Sequence, residues 1–126
     1  MIKPAFAALA AAALALSPSA ALAHAKLVSS NPTANATITK VTAIQLKFSE
    51  KLIAATVRAE LVMTAMPRMA DHPPMKIAIG AAMGQDGKSM TLTPKRALTP
   101  GTYRVTWSAA GADTHRMGSE FAFTVK

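Results

Sequence analysis

Four stretches of this chain alternate apolar and polar side chains with a period of two, and that pattern commits the chain to β-structure. Ile44, Leu46 and Phe48 alternate with Gln45, Lys47 and Ser49. Val57, Ala59, Leu61 and Met63 alternate with Arg58, Glu60 and Val62. Tyr103, Val105 and Trp107 are interleaved with Arg104 and Thr106, and Phe121, Phe123 and Val125 with Ala122 and Thr124. Successive side chains of a strand point to opposite faces, so each stretch predicts a strand with one face buried. Lys26–Ser29, Lys76–Ile79 and Met90–Pro94 are weaker strand candidates, and Asn31-Pro32, Asp86-Gly87 and Pro100-Gly101 supply turns between them. About seven short strands in roughly 100 residues predict an all-β fold, a Greek-key β-sandwich or barrel.

The first residues read differently. Lys3 precedes an apolar run, Ala5–Leu16, which is too short for a membrane span of roughly 20 residues. Ser17-Pro18-Ser19 breaks the run, and Ala21-Leu22-Ala23 fits the small-x-small rule for signal cleavage. Residues 1–23 are therefore expected to be a signal peptide, and 24–126 one exported, soluble domain that begins at His24. Cuts after Ala21 or Ala25 satisfy the rule almost as well. No second long apolar run is present, so no membrane-spanning product is expected. The chain carries 14 Lys and Arg against 6 Asp and Glu, a net +8 at pH 7. These cations are scattered, only Lys95-Arg96 being adjacent, and aromatics make up 5% of the chain, so nucleic acid is not an expected partner.

There is no cysteine, which excludes a disulfide scaffold, a thiolate zinc site, an iron–sulfur cluster and a cysteine nucleophile. Any soft metal ligand must then be a thioether. Residues 63 to 75 supply them at a spacing of three: Met63, Met66, Met69, His72, Met75. Pro67, Pro73 and Pro74 forbid a helix there, since an interior proline costs about 3 kcal/mol. A regular strand does not fit either, because a period of three puts successive methionines on opposite faces. The run reads as a loop whose thioethers suit Cu(I), with one imidazole that Cu(I) also accepts and that could serve Cu(II) after oxidation. Met83 and Met90, in or near strand candidates, read as core, and Met117 as packing.

A second donor set is harder. A chain beginning at His24 offers an α-amine and an imidazole Nδ1 that close one chelate ring. Asp113-Thr114-His115 places a carboxylate and an imidazole two residues apart, on one side if the stretch is extended. Glu50, one of six acidic residues, ends the strand Ile44–Ser49. Amine, imidazoles and carboxylate together suit tetragonal Cu(II). The three histidines of the chain thus fall at the new N-terminus, in the methionine run and in Asp-x-His.

The residues from His24 onward resemble the CopC family of periplasmic copper-resistance proteins, small copper-binding β-barrels of the cupredoxin-like kind. The resemblance runs through His24-Ala25-Lys26-Leu27, Ser30-Asn31-Pro32, Leu46-Lys47-Phe48-Ser49-Glu50 and the run 63–75. It continues through Leu98-Thr99-Pro100-Gly101-Thr102-Tyr103-Arg104-Val105, Trp107, Asp113-Thr114-His115 and Phe121-Ala122-Phe123-Thr124-Val125. It implies that His24, Glu50, Asp113 and His115 form a Cu(II) site, Glu50 standing where the family often has Asp. It implies that Met63, Met66, Met69, His72 and Met75 form a Cu(I) site, as in members with two sites. The function implied is a non-enzymatic carrier that sequesters or shuttles copper in the periplasm. An inner-membrane copper transporter or a periplasmic copper oxidase would be its partner.

The competing reading is a copper redox enzyme, since an N-terminal amine with two imidazoles also supports monooxygenase chemistry. One Trp and one Tyr are too few for a flat sugar-binding face, and Glu50 and Asp113 would crowd the open position that an enzyme needs. Strand counting adds a geometric expectation. Val57–Met63 carries the chain roughly 20 Å away from the Glu50 end, so the two donor sets should lie at opposite poles.

Overall fold

The computed structural model describes residues 25–69 and 73–126. Nine strands are present among them: β1 Leu27–Asn31, β2 Thr37–Ile38, β3 Ile44–Phe48, β4 Arg58–Ala65, β5 Met75–Ile77, β6 Ile79–Met83, β7 Ser89–Pro94, β8 Gly101–Ala110 and β9 Arg116–Val125. They form two sheets, one in the order β1-β3-β7-β6 and the other β2-β9-β8-β4-β5. Every pairing is antiparallel except the short β2–β9 contact. This is an all-β sandwich of two packed sheets rather than a closed barrel. Among the described residues no helix is long and apolar enough to cross a membrane.

The inward faces are those that the alternation predicts. Ile44, Leu46 and Phe48 from β3 meet Leu61, Met63, Tyr103, Val105, Trp107 and Phe123 from the other sheet, all buried. Phe48 and Trp107 meet edge to face at 4.8 Å, and Tyr103 stacks on Phe123 at 5.6 Å. Such aromatic pairs add about 0.5–1.5 kcal/mol each beyond area burial. Met90 is also buried, while Met83 and Met117 are partly buried against the core. Val62 departs from the alternation, being buried on the outer face. Its cross-strand neighbours there are Lys76 and Arg104.

The pairing of β4 with β8 is irregular at one point. Met63 pairs with Tyr103 and Ala65 with Thr102, so β4 spends two residues where β8 spends one. This bulge reverses the side-chain parity of β4 beyond Met63. Gly101 lies against it, and a Cβ there would stand 2.6 Å from the Ala65 carbonyl oxygen and 2.9 Å from Met63 Cε. Backbone cannot yield as a flexible side chain does. Gly101→Ala is therefore expected to destabilise by about 1–3 kcal/mol. Thermal unfolding should show it as a Tm lower by roughly 5–15 °C. An unchanged Tm would mean that the bulge relaxes without cost.

Candidate functional site

The methionine run turns out to be a hairpin rather than an open loop. Met63 lies in β4, buried, and pairs directly with Met75 in β5. Between them Met66 and Met69 exchange two backbone hydrogen bonds, Met69 N–H to Met66 O at 3.0 Å and Met66 N–H to Met69 O at 3.4 Å. The turn between them has Pro67 in second position and Arg68 in third, with Arg68 at φ 69°. Proline followed by a left-handed residue is the type II pattern, which glycine or asparagine usually completes. Directly opposed residues share a face, so Met66 and Met69 project to one side.

The period of three was expected to scatter the thioethers over both faces of any strand. The bulge between Met63 and Ala65 and the turn at Pro67-Arg68 remove that conflict. Met63, Met66 and Met75 line one cleft of about 530 Å³. Met69 and Met75 are 55% and 50% exposed, large values for apolar side chains that could have packed. His72 lies outside the described residues.

The cleft continues away from the thioethers. Ile77, Leu98 and Tyr103 line its apolar part, and Lys76, Lys95 and Arg96 are also among its lining residues. The Tyr103 hydroxyl donates to Thr99 O at 2.6 Å, and Lys95 N–H donates to Ala78 O at 2.9 Å. Both ends of the segment 95–99 are thus tied to the sandwich. The sequence gives no sign of this cleft, because segments 75–78 and 95–99 are distant in sequence and are joined by the Lys95–Ala78 bond.

The harder donors gather at the other end. Leu52 bridges Gly111, and Ile53 N–H donates to Ala110 O at 2.8 Å. These contacts lay the Glu50 segment beside the Asp113 segment. The Thr56 hydroxyl reinforces them, accepting from Ala110 N–H at 2.8 Å while donating to Ile53 O at 2.6 Å. Glu50 itself is half-buried.

The start of the described chain arrives at the same place. Ala25 is buried in the core. Lys26 N–H donates to Ser49 Oγ at 3.0 Å, and Ser49 N–H donates back to Lys26 O at 2.9 Å. Residues 25 and 26 therefore flank the residue next to Glu50. His24 and the expected signal peptide, residues 1–23, lie outside the described residues.

Asp113-Thr114-His115 is a turn rather than an extended stretch. Thr114 is left-handed, φ 65°, and its N–H donates to Gly111 O at 2.9 Å. The two side chains nevertheless converge through this turn. Asp113 Oδ1 accepts the His115 backbone N–H at 3.1 Å, and Oδ2 stands 3.4 Å from His115 Nδ1. A carboxylate on Nδ1 fixes the ring and directs Nε2 to a metal. The imidazole is 70% exposed.

Left-handed backbone is costly for β-branched and long side chains and concentrates at functional positions. Among the described residues the non-glycine cases are Asn35, Arg68 and Thr114. Asparagine tolerates this region; the other two hold the Met66–Met69 turn and the Asp113–His115 turn.

The poles are well separated. Met63 pairs with Tyr103 near the start of β8, and Arg116 pairs with Ala110 at its end. Seven steps of strand between them amount to roughly 23 Å. Among the described residues no three His, Asp or Glu side chains close into a metal-binding group. The second imidazole and the amine expected there would have to come from His24.

The chain is similar to known proteins in sequence and fold. The CopC domain family model matches residues 27–126. Copper resistance protein C of Xanthomonas campestris pv. juglandis is 46% identical over 114 residues, which covers 90% of this chain and 89% of that protein. The crystal structure of PcoC, a methionine-rich copper resistance protein from Escherichia coli, is 43% identical. It superposes with a TM-score of 0.76 over 82% of this chain and 100% of PcoC. CopC from Methylosinus trichosporium OB3b, 21% identical, has a TM-score of 0.69 over 82% of this chain and 94% of that one, a likeness of fold.

Proposed function

Because this chain belongs to the CopC family, we propose that it is an exported copper carrier with two sites of different chemistry. Signal cleavage after Ala23 releases a periplasmic domain, 24–126. Copper is its cargo. At one pole the amine and imidazole of His24, with His115, Asp113 and Glu50, take Cu(II). At the other, Met63, Met66, Met69, Met75 and His72 supply soft donors for Cu(I). Delivery is to an inner-membrane copper transporter or a periplasmic copper oxidase.

The observation that carries this reading is the segregation of donors. Thioethers and the carboxylate–imidazole pair occupy opposite ends of one sandwich, with a hydrophobic core between them. Copper in either oxidation state then meets a ligand set suited to it, and neither set can share an ion with the other. A carrier is favoured over an enzyme because Trp107 and Tyr103 are both core residues. They leave no aromatic platform for a polysaccharide. Copper loading of protein that begins at His24 tests the proposal. One Cu(II) and one Cu(I) should bind per chain, each without displacing the other. A single copper that changes oxidation state in one place would overturn it.

A further inference from the structure

We propose that Met69 and Met75 are S-oxygenation sites, where hydrogen peroxide converts exposed thioethers to sulfoxides and so disables soft-metal binding by the hairpin while the sandwich stays folded. The consequence for metal rests on the Cu(I) reading of the proposed function; the choice of residues rests on burial. The chain has no cysteine, so its sulfur is methionine sulfur throughout. The described methionines fall into three grades. Met63 and Met90 are 3% and 1% exposed, and Met66, Met83 and Met117 are partly buried against the core. Met69 and Met75 are half exposed or more, and among the described residues the other large exposed apolar side chains are Val28 and Ile53.

A thioether reacts through a sulfur lone pair. The pair attacks one oxygen of the peroxide, an S–O bond forms and the O–O bond breaks. The hydroxide that leaves takes the proton of the transferred oxygen and departs as water. Sulfur gives up two electrons and the peroxide accepts them. The peroxide must reach sulfur, so susceptibility follows exposure. A soft cation would use the same lone pair, and a sulfoxide presents a hard oxygen in its place. Oxidation and Cu(I) binding therefore compete for one electron pair on each side chain. Bound metal shields the thioether, and an oxidised thioether no longer attracts the metal.

The hairpin keeps this change local. Backbone bonds between Met66 and Met69 close its turn, and β5 is held by the pairs Met63–Met75, Val62–Lys76 and Leu61–Ile77. None of these bonds uses the thioether of Met69 or Met75. A sulfoxide at either position leaves its oxygen in water. At Met63 the same change would put an unpaired S=O into the core beside Tyr103, which is costly. Met63 Cε already lies 2.9 Å from where a Cβ on Gly101 would stand, so that site has no room for an added oxygen on this side. Met75 lines the same cleft as Met63 and Met66, so its oxidation places a hard oxygen among the remaining thioethers. The sulfurs most open to peroxide are thus donors of the proposed Cu(I) site, and the two deepest in the core are shielded.

The test treats protein beginning at His24 with hydrogen peroxide, quenches it at intervals and maps added oxygen by peptide mass spectrometry. Met69 and Met75 are expected to gain one oxygen each about tenfold or more faster than Met63 and Met90, with Met66, Met83 and Met117 between. Protein oxidised at Met69 and Met75 should keep its Tm and bind Cu(I) about tenfold or more weakly, read by anaerobic competition with a chromophoric chelator. M69Q/M75Q, whose amide oxygens imitate the sulfoxides, should show the same loss without oxidant. Ag(I), a soft cation that peroxide does not cycle, should slow oxidation at Met69 and Met75 and leave Met83 and Met117 unchanged. Equal rates at all methionines, or early oxidation of Met63 or Met90, would overturn the proposal. So would unfolding once Met69 and Met75 are oxidised. Cu(I) binding by the reduced protein that survives their oxidation overturns the proposal alone. If the reduced hairpin binds neither Cu(I) nor Ag(I) while Met69 and Met75 still oxidise first, the Cu(I) reading fails, and the consequence for metal fails with it.

Discussion

Protein carrying one extra glycine ahead of His24 is expected to bind Cu(II) about a hundredfold or more weakly than protein beginning at His24. That loss corresponds to about 2.7 kcal/mol. The added residue turns a basic α-amine into an amide, removing one donor and the chelate ring that it closes with Nδ1. Fold should be untouched, because the anchors lie downstream of the change. Ala25 is buried in the core, and Lys26 is tied to Ser49 in both directions. Those same anchors deliver the chain start to the pole where Asp113 stands against His115. Cu(I) affinity at the far pole should not move. Binding by the processed protein should also weaken in mild acid, since amine and imidazoles must lose protons to ligate. Competitive titration against a Cu(II) chelator reads both effects. Equal affinity with and without the glycine would remove the amine from the site.

Much of this molecule can be read from its sequence, and the exceptions have definite causes. β3, β4, β8 and β9 follow from alternation alone, because a half-buried strand must alternate. β2 is invisible because its two residues are strand only through pairing with β9, a contact made by the fold as a whole. The weak Lys76–Ile79 stretch divides between β5 and β6, which lie in different sheets, with Ala78 between them. Val62 reads as exposed by its place in the alternation and is buried, with Lys76 and Arg104 as its cross-strand neighbours. The candidate donors were legible as residue types, since soft and hard ligands are distinct in any sequence. Their geometry was not. A bulge at Met63 and left-handed backbone at Arg68 and Thr114 bring side chains together, and neither arginine nor threonine signals that conformation. The cleft beside the methionine hairpin was least legible of all, because its walls come from β4, β5, β8 and the segment 95–99, which are distant in sequence.

Replacing Met66 and Met69 together by Leu is expected to lower Cu(I) affinity by about tenfold or more, which is about 1.4 kcal/mol or greater. The substitution keeps volume and hydrophobicity and removes only sulfur. Exchanges of Met for Leu cost less than about 1.5 kcal/mol even in cores. Met69 is more than half exposed and Met66 only packs against the core edge, so the fold should persist. The backbone bonds that close the turn, Met69 N–H to Met66 O and its reciprocal, do not involve the side chains. Loss of Cu(I) binding would therefore report the thioethers themselves. Met63 is the wrong residue for this experiment, because it is a buried neighbour of Tyr103 and its loss would mix packing with ligation. Cu(II) affinity should stay at its starting value, since roughly 23 Å of strand separates the poles. Cu(I) affinity unchanged in the double variant would assign Met66 and Met69 to packing. Unfolding of the variant would place them in the core and return the exposed hairpin to an ordinary role.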